Sequence, residues 1–299
     1  MNPYIRYFLE NIYIGGVLIN NPYIDRLWLF ENNLSHLIRQ LREEHFDYII
    51  DLHHNLRTLR IKNRLKILSF SFNKLNLEKW IMVNFKIDRL PSIHIVDRYL
   101  DTVKLFDVKN DDEGLDYFLS EEDKKTTPDL KSLISGRFIV LSIGGKHNTK
   151  KAPPFKLAKI CNRLVLPVLI LGDMADKEGA SKIISLCSKK DITDLTGKLG
   201  LNQSAYVIMK SQLVITHDTG LMHIAAAFKK KIVSIWGNTI PEFGMSPYLP
   251  AEGSRIFEVK ELGCRPCSKI GFKKCPEKHF DCMIRLDENI IAEYVNDHA

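Results

Sequence analysis

The chain has 299 residues, 45% of them hydrophobic, with a formal net charge of +7. That apolar content is ample for a core and implies two domains of ordinary size. The charge is moderately basic and patchy rather than a polybasic tail; no nucleic-acid partner is expected, and two readings remain: solvated lysines, or a surface that meets acidic sugars, phosphates or an anionic membrane face.

From the start of the chain, residues Phe8–Asn20 are apolar but too short and too interrupted for a membrane span. They also lack the basic start and small-residue cleavage site of a signal peptide, so a cytoplasmic location is expected. Leu34, Leu37, Ile38 and Leu41 recur at helical spacing and predict a helix over Leu34–Glu44. The run Tyr48-Ile49-Ile50-Asp51-Leu52 predicts a strand, followed by the basic stretch "HHNLRTLRIK". "RLKILSFSF" predicts another strand, and "HIVDRYLDTVKLF" a helix with Ile95, Tyr99, Val103 and Phe106 inward. Residues Asp107–Leu130 are acidic and weakly patterned, as an interdomain linker would be. The expected division is a first domain over 1–125, a second over 126–285 and a C-terminal helix over 286–299.

The second half alternates more regularly. "RFIVLSIGG", "PVLILGD", "SQLVITHD" and "KIVSIWG" read as buried strands, and "DITDLTG" contributes a short one. "PPFKLAKICNRL", "DKEGASKIISLCSKK", "LNQSAYVIMK" and "TGLMHIAAAFKK" read as the helices between them. This alternation predicts an α/β fold with a parallel sheet covered on both faces. No internal repeat or low-complexity tract is visible.

Ligands of such sheets bind where strands end and helices begin. After "VITH", Asp218 precedes Thr219 and Gly220, which open a helix carrying His223. The free N–H groups of that first turn favour an anion, Thr219 adds a hydroxyl, and Gly220 lets backbone approach a phosphate. Asp218 would repel a phosphate, so it caps the helix or accepts from a ribose or sugar hydroxyl. The plainer reading is an N-cap and a satisfied helical histidine. Upstream, Thr149, Lys150 and Lys151 lie in the loop after Gly144-Gly145, where lysine is suited to phosphate. Two anion-competent loops at one sheet edge suggest a single diphosphate between them. Neither the P-loop pattern nor G-x-G-x-x-G is present.

Several blocks together resemble the heptosyltransferase-like glycosyltransferases, family nine of the GT-B superfamily. They are "SIGGKHNTKKAPP", the long stretch from Leu195 to Tyr248, "CRPCSKIGFKKCPEKHFDCM", "NNPYIDRLWLF" and "DYIIDLHHNLRTLRIK". The resemblance implies two Rossmann-like domains with parallel sheets facing across a cleft. The second would bind an ADP-activated sugar, a heptose by preference. The first would bind a lipopolysaccharide-core or related cell-envelope acceptor. Transfer would invert the anomeric centre without a bound metal or other cofactor. By the same resemblance, Thr149 and Lys150 contact donor phosphates, Asp218 holds sugar or ribose hydroxyls, and Thr219, Gly220 and His223 line the diphosphate site. Gly172, Asp173 and Glu178 are weaker candidates for adenine or ribose contact, with Gly197 and Lys198 bordering that pocket. Asn55, Arg57 and Lys62 match the acceptor-side block, where basic groups suit an acidic core sugar.

This sequence departs from the family at its start. The family opens with a strand and a Gly-Asp loop that carries the proposed base. Here the chain begins at what looks like the family's second strand, so the N-terminal domain is expected to be incomplete: either the true start lies upstream, or this is a shortened relative that lacks the usual base. That would expose apolar surface and a strand edge. Asp51 and His53, at a strand end, are the candidate substitutes for the base. The alternative function is a non-catalytic nucleotide-sugar-binding or assembly protein that lacks the base loop. A sugar-nucleotide epimerase is disfavoured, because the G-x-x-G-x-x-G pattern is absent from the N-terminal segment. Peripheral contact with the inner face of the inner membrane is expected through the basic N-terminal face.

Six cysteines remain. Cys161 and Cys187 fall in apolar helical patterns and read as buried thiols. Cys264, Cys267, Cys275 and Cys282 form C-x2-C-x7-C-x6-C with His279 inside, and only the first pair has zinc-knuckle spacing. Free thiols or a local disulfide fit better than a metal.

Overall fold

The computed structural model describes residues 7–11, 16–30 and 33–299. The chain divides into two compact units. One comprises Met1–Asn76 with Ile93–Asp112, the other Leu77–Ser92 with Glu113–Ala299.

In the first unit, β1 (Tyr7–Asn11) pairs in parallel with β2 (Arg26–Phe30). Helix α1 (Leu34–Glu43) follows, capped by Asn33, and buries the expected Leu37, Ile38 and Leu41. Strand β3 (Tyr48–Asp51) pairs in parallel with β4 (Leu68–Ser71) across helix α2 (Leu56–Leu65). Ile61 of α2 joins the α1 leucines in one small core, with Trp28 and Phe30 of β2 packed against it. Helix α3 (Asn76–Phe85) leaves this unit for the second, and α4 (Ile95–Leu100) returns to it. The expected helix over residues 94–106 is thus shorter, since Asp101–Phe106 tightens into a 3-10 turn. Phe106 is a correction: it is exposed rather than inward, and meets Tyr48 and Phe70 edge-on. A 3-10 turn rotates successive side chains faster than an α-helix, so the inward stripe does not continue.

In the second unit, α5 (Pro128–Leu133) leads into β5 (Ile139–Ser142), α6 (Pro154–Cys161), β6 (Val168–Leu171), α7 (Lys177–Leu186) and β7 (Ile192–Asp194). Then come α8 (Leu201–Lys210), β8 (Leu213–His217), α9 (Gly220–Ala227), β9 (Lys231–Trp236) and β10 (Arg255–Glu258). Two helices close the chain, α10 (Asp281–Ile284) and α11 (Glu288–His298). The six strands form one parallel sheet in the order β10-β9-β8-β5-β6-β7.

Every residue of β5, β6 and β8 is buried, which is why these segments read as continuous apolar runs. Alternate residues feed two cores. Ile139, Leu141, Leu213 and Ile215 pack toward α6 and α7, while Phe138, Val140, Val214 and Trp236 pack toward α8 and α9. The strand order reverses between β5 and β8. The loop after β5 therefore runs to one face and the loop after β8 to the other, which opens a crevice at their carboxyl ends.

Segments outside the strands are fixed to this unit. The stretch read as a linker docks through Tyr117, whose hydroxyl donates to Asn202 at 2.7 Å and whose ring meets Phe228 edge-on. Burial, with Asp123 nearby, raises the Tyr117 hydroxyl to a pKa of about 12. Residues 77–92, placed with the first domain in the sequence reading, group with the second unit. Lys86 Nζ donates to the Pro266 carbonyl at 2.7 Å, and the Lys79 ammonium lies 5.6 Å from the Phe243 ring centroid.

The terminal helix is latched by Glu288, which pairs with Lys156 at 2.5 Å and Lys159 at 2.8 Å. The hydrogen bonds from Lys156 and Lys159 lower the Glu288 carboxyl from 4.5 to about 2. A depressed carboxyl pKa stabilises the fold above the unfolded value, and that contribution is lost as pH falls toward the folded one. Glu288→Gln is expected to cost ~1–2 kcal/mol at neutral pH, after discounting for solvent screening. The difference from the parent should vanish as pH falls from 4.5 to about 2, read by urea denaturation across that range. Among the described residues no helix is long and apolar enough to cross a membrane.

Candidate functional site

The crevice at the carboxyl ends of β5, β6 and β8 is an open cleft of about 690 Å³. Its volume falls within the usual range for a small-molecule site. One wall is the loop after β5, with Gly144, Gly145, Lys146 and Lys150. A second is the turn after β6, with Gly172, Asp173 and Asp176. The third is the start of α9, with Asp218, Thr219, Gly220 and His223. Leu199, Leu201, Leu221 and Met245 add an apolar side.

Two ion pairs organise the charge. Lys150 Nζ lies 2.6 Å from Asp218 Oδ2, and Lys151 Nζ lies 2.6 Å from Asp176 Oδ1. All four side chains are largely buried. Asp218 is not the helix cap, as the plainer sequence reading had it. Thr219 is the N-cap, and its hydroxyl makes no capping bond. The first-turn N–H groups of α9 are therefore not satisfied by the cap side chain, leaving an electropositive terminus at the cleft. Asp218 instead accepts from Thr239 Oγ1 at 3.0 Å as well as from Lys150.

Thr239 is itself held from behind. Arg265 donates to the carbonyls of Thr239 (2.8 Å) and Gly237 (2.6 Å) and pairs with Glu258 at 2.6 Å. The Gly-Asn-Thr turn after β9 is thus fixed by a buried guanidinium, and that turn fixes Asp218.

On the β6 side, Gly172 admits Asp176. A Cβ at residue 172 would meet the Asp176 side chain at 2.9 Å. Asp176 and Asp173 form a capping box, in which Asp173 N–H donates to Asp176 Oδ2 at 3.1 Å.

Of the residues picked out in the sequence, Lys150, Asp218, Thr219, Gly220, His223, Gly172 and Asp173 come together around the cleft. Thr149 and Glu178 do not. Glu178 is exposed on α7 and pairs with Lys182 one turn on, whose hydrogen bond holds its carboxyl below the usual range. Thr149 is buried and faces the cysteine loop. Its hydroxyl accepts from Phe272 N–H at 2.8 Å and donates to the Phe272 carbonyl at 3.1 Å. It therefore serves the loop that carries Lys150 rather than a ligand. Thr149→Val should destabilise by ~1–3 kcal/mol by stranding the Phe272 N–H, and Thr149→Ser by much less, measured as denaturation midpoints. Gly197 and Lys198 stand just outside: Gly197 N–H donates to the Gly172 carbonyl at 3.0 Å, and Lys198 Nζ to the Asp194 carbonyl at 2.6 Å.

Sequence reasoning missed Asp176, Ser142 and Ser204. The Asp-x-x-Asp capping pattern after "VLILG" is the signal that could have found Asp176.

In the first unit, the other candidates have structural partners. Asn55 is the N-cap of α2 in a capping box with Thr58. Lys62 pairs with Asp51 at 2.7 Å and donates to Ser71 Oγ at 2.7 Å. Arg57 lies over the Phe30 ring at 4.9 Å. Asp51 accepts from the N–H groups of His53 and His54 at 3.1 and 2.7 Å. Burial opposes its charge, but Lys62 and the His54 N–H outweigh burial and hold its carboxyl below the usual range. A carboxylate so committed is a poor proton acceptor, and the expectation that Asp51 replaces a base finds no support in its placement. His53 is half-buried beside it.

The four C-terminal cysteines are free thiols that line a small void of about 10 Å³ with Thr149, Asn238 and His279. Burial and the neighbouring thiols raise Cys282 to about 12 and push Cys267 upward as well. Among the described residues, no group of three or more His, Cys, Asp or Glu side chains is arranged to hold a metal ion. Cys161 is buried, and Cys187 is half-buried at the end of α7.

The model of glycosyltransferase family 9 (heptosyltransferase) matches residues 34–280. Lipopolysaccharide heptosyltransferase 1 of Campylobacter coli is 23% identical over 323 residues, covering 98% of this chain and 89% of the relative. Among solved structures, a family 9 glycosyl transferase from Veillonella parvula DSM 2008 superposes with a TM-score of 0.78 at 20% identity. The match covers 97% of this chain and 87% of that one. The ADP-heptose lps heptosyltransferase II of E. coli superposes with a TM-score of 0.74 at 18% identity, over 99% and 90% of the two chains. At these identities the two structures show the fold.

Proposed function

The chain belongs to glycosyltransferase family 9, and on that premise we propose that it moves a heptose from an ADP-activated donor to a lipopolysaccharide-core or related glycan. The observation that carries the donor half is the cleft in the second unit, where Lys150 and the α9 N-terminus converge. A departing nucleoside diphosphate gathers negative charge, and preorganised positive groups stabilise it where it develops. Lys150, Lys151 and the first turn of α9 are the groups that supply this. Of the three carboxylates in the cleft, Asp176 and Asp218 are engaged by lysines and Asp173 accepts from the Ala175 N–H, which favours transfer without a bound metal. Asp218 and Asp176 are suited to accept from sugar or ribose hydroxyls, and the leucines with Met245 offer an apolar surface to a base.

For the acceptor, Arg57 remains the candidate suited to an acidic sugar, since Asn55 caps α2 and Lys62 pairs with Asp51. Peripheral attachment to an anionic membrane through the basic face is part of the same reading, and it fails if the protein ignores anionic vesicles at low salt.

Calorimetry with ADP, UDP and GDP, followed by a transfer assay with ADP-heptose and a heptose-deficient core glycan, tests this. Selective ADP binding with transfer is the expected result. ADP binding without transfer would instead establish the non-catalytic alternative. Binding of none of the three nucleotides by folded protein would end the donor-cleft reading.

A further inference from the structure

His217 is the last residue of β8 and lies directly before Asp218. It is only 1% exposed. Its Nε2 accepts the Ala152 N–H at 2.9 Å, and its Nδ1 is buried with no hydrogen-bond partner. An Nε2 that accepts leaves the proton on Nδ1, so the ring is the neutral Nδ1–H tautomer. Burial first, then the nearby Lys151 charge, lowers its pKa to about 4 against an opposing pull from Asp176.

The partner of this histidine is informative. Ala152 follows Lys150 and Lys151 and precedes Pro153 and Pro154, which have no N–H to donate. On the other side of the lysines, Thr149 N–H donates to the Phe272 carbonyl at 3.2 Å. Lys150, which lines the cleft, and Lys151, which pairs with the cleft carboxylate Asp176, therefore sit between two backbone pins, Thr149 to Phe272 and Ala152 to His217. The pins matter most once ligand is present. An anion in the cleft competes with Asp218 and Asp176 for the lysine ammonium groups, so the side-chain anchors of the loop weaken at that moment. The Ala152–His217 bond involves no lysine and survives.

The choice of acceptor follows from its neighbours. Lys150, Lys151, Asp176 and Asp218 all lie close by. A carboxylate at residue 217 would draw a lysine toward itself, and an aliphatic side chain would leave the Ala152 N–H unpaired. A neutral imidazole accepts without redirecting either lysine.

We propose that His217 is a positioning residue of the donor site, which fixes the Ala152 amide so that Lys150 and Lys151 stay aimed at a bound diphosphate. This rests on the reading of the cleft as a nucleoside-diphosphate site.

The test compares wild type, His217→Met, His217→Gln and the core control Ile215→Val. ADP affinity is measured by calorimetry and stability by thermal unfolding. Met removes the acceptor at similar volume, and Gln can return an acceptor oxygen near the Nε2 position. Ile215→Val, on the same strand, lowers stability without touching the loop. The expected result is roughly tenfold weaker ADP binding in His217→Met, affinity within about threefold of wild type in His217→Gln, and no affinity change in Ile215→Val. Unchanged ADP affinity in His217→Met would overturn the proposal. So would a loss no greater than that in Ile215→Val, or failure of His217→Gln to restore binding while folded. Absence of ADP, UDP and GDP binding in wild type would overturn the cleft reading itself, and this proposal with it.

Discussion

Replacing Lys150 by alanine is expected to weaken ADP binding by about ten- to a hundredfold, or ~1.4–2.8 kcal/mol. The ammonium is the group in the cleft placed to exchange one anionic partner, Asp218 at 2.6 Å, for another. With Lys150 gone, the α9 N-terminus and Lys151 still attract a diphosphate, so binding is weakened rather than abolished. Asp218 then keeps Thr239 but loses its cation, and its bare charge repels an incoming anion. The loss should therefore exceed that of a solvated lysine, and Lys150→Ala/Asp218→Asn should recover part of it. Wild-type affinity should fall with added salt more steeply than that of the variant, because a screened charge contributes less. Calorimetry at two ionic strengths reads both effects. Equal affinities in wild type and Lys150→Ala would remove Lys150 from the site.

Arg265→Leu is expected to be the most destabilising of the single changes considered, by ~3–5 kcal/mol. Arg265 and Glu258 side chains are 4% and 8% exposed, so removing the guanidinium leaves a buried carboxylate paired, among the described residues, only with the exposed and more distant Lys260 at 3.8 Å. It also frees the carbonyls of Gly237 and Thr239. The double variant Arg265→Leu/Glu258→Leu should recover a substantial part of the loss, since it removes the stranded charge. It should not recover full ADP affinity, because the turn that carries Thr239 and orients Asp218 is no longer held. Urea denaturation of the two variants, with calorimetry of the double variant, separates the fold from the site. If the double variant binds ADP like wild type, the support running from Glu258 through Arg265 and Thr239 to Asp218 has no functional consequence.

The cysteine segment was legible as a pattern but not as a structure. Only its first pair has zinc-knuckle spacing, and none of its thiols forms a disulfide. What the spacing could not convey is that the segment clamps the donor loop through Phe272 and Thr149 and the Gly-Asn-Thr turn through Arg265. The roles of Asn55 and Lys62 show the same limit. A basic block after a strand suggested a ligand surface, while capping of α2 and the pair with Asp51 occupy both side chains.

The sequence by itself determined the alternation of buried strands and helices, the parallel sheet and the two loops that border the cleft. These depend on periodicity and turn chemistry, which act over a few residues. It also placed Lys150, Asp218, Thr219 and Gly220 at strand ends, where such sheets bind ligands. Only the tertiary structure decided which loop side chains face the cleft. Thr149 turns away and Lys150 turns in, although they are adjacent; Asp176 lines the site while Glu178, two residues on, points to solvent. The physical reason is the distance in sequence between partners. Lys151 meets Asp176 across 25 residues, Ala152 meets His217 across 65, and Lys150 meets Asp218 across 68. No local pattern encodes those pairings; pairing β5 with β6 brings the first together, and pairing β5 with β8 the other two.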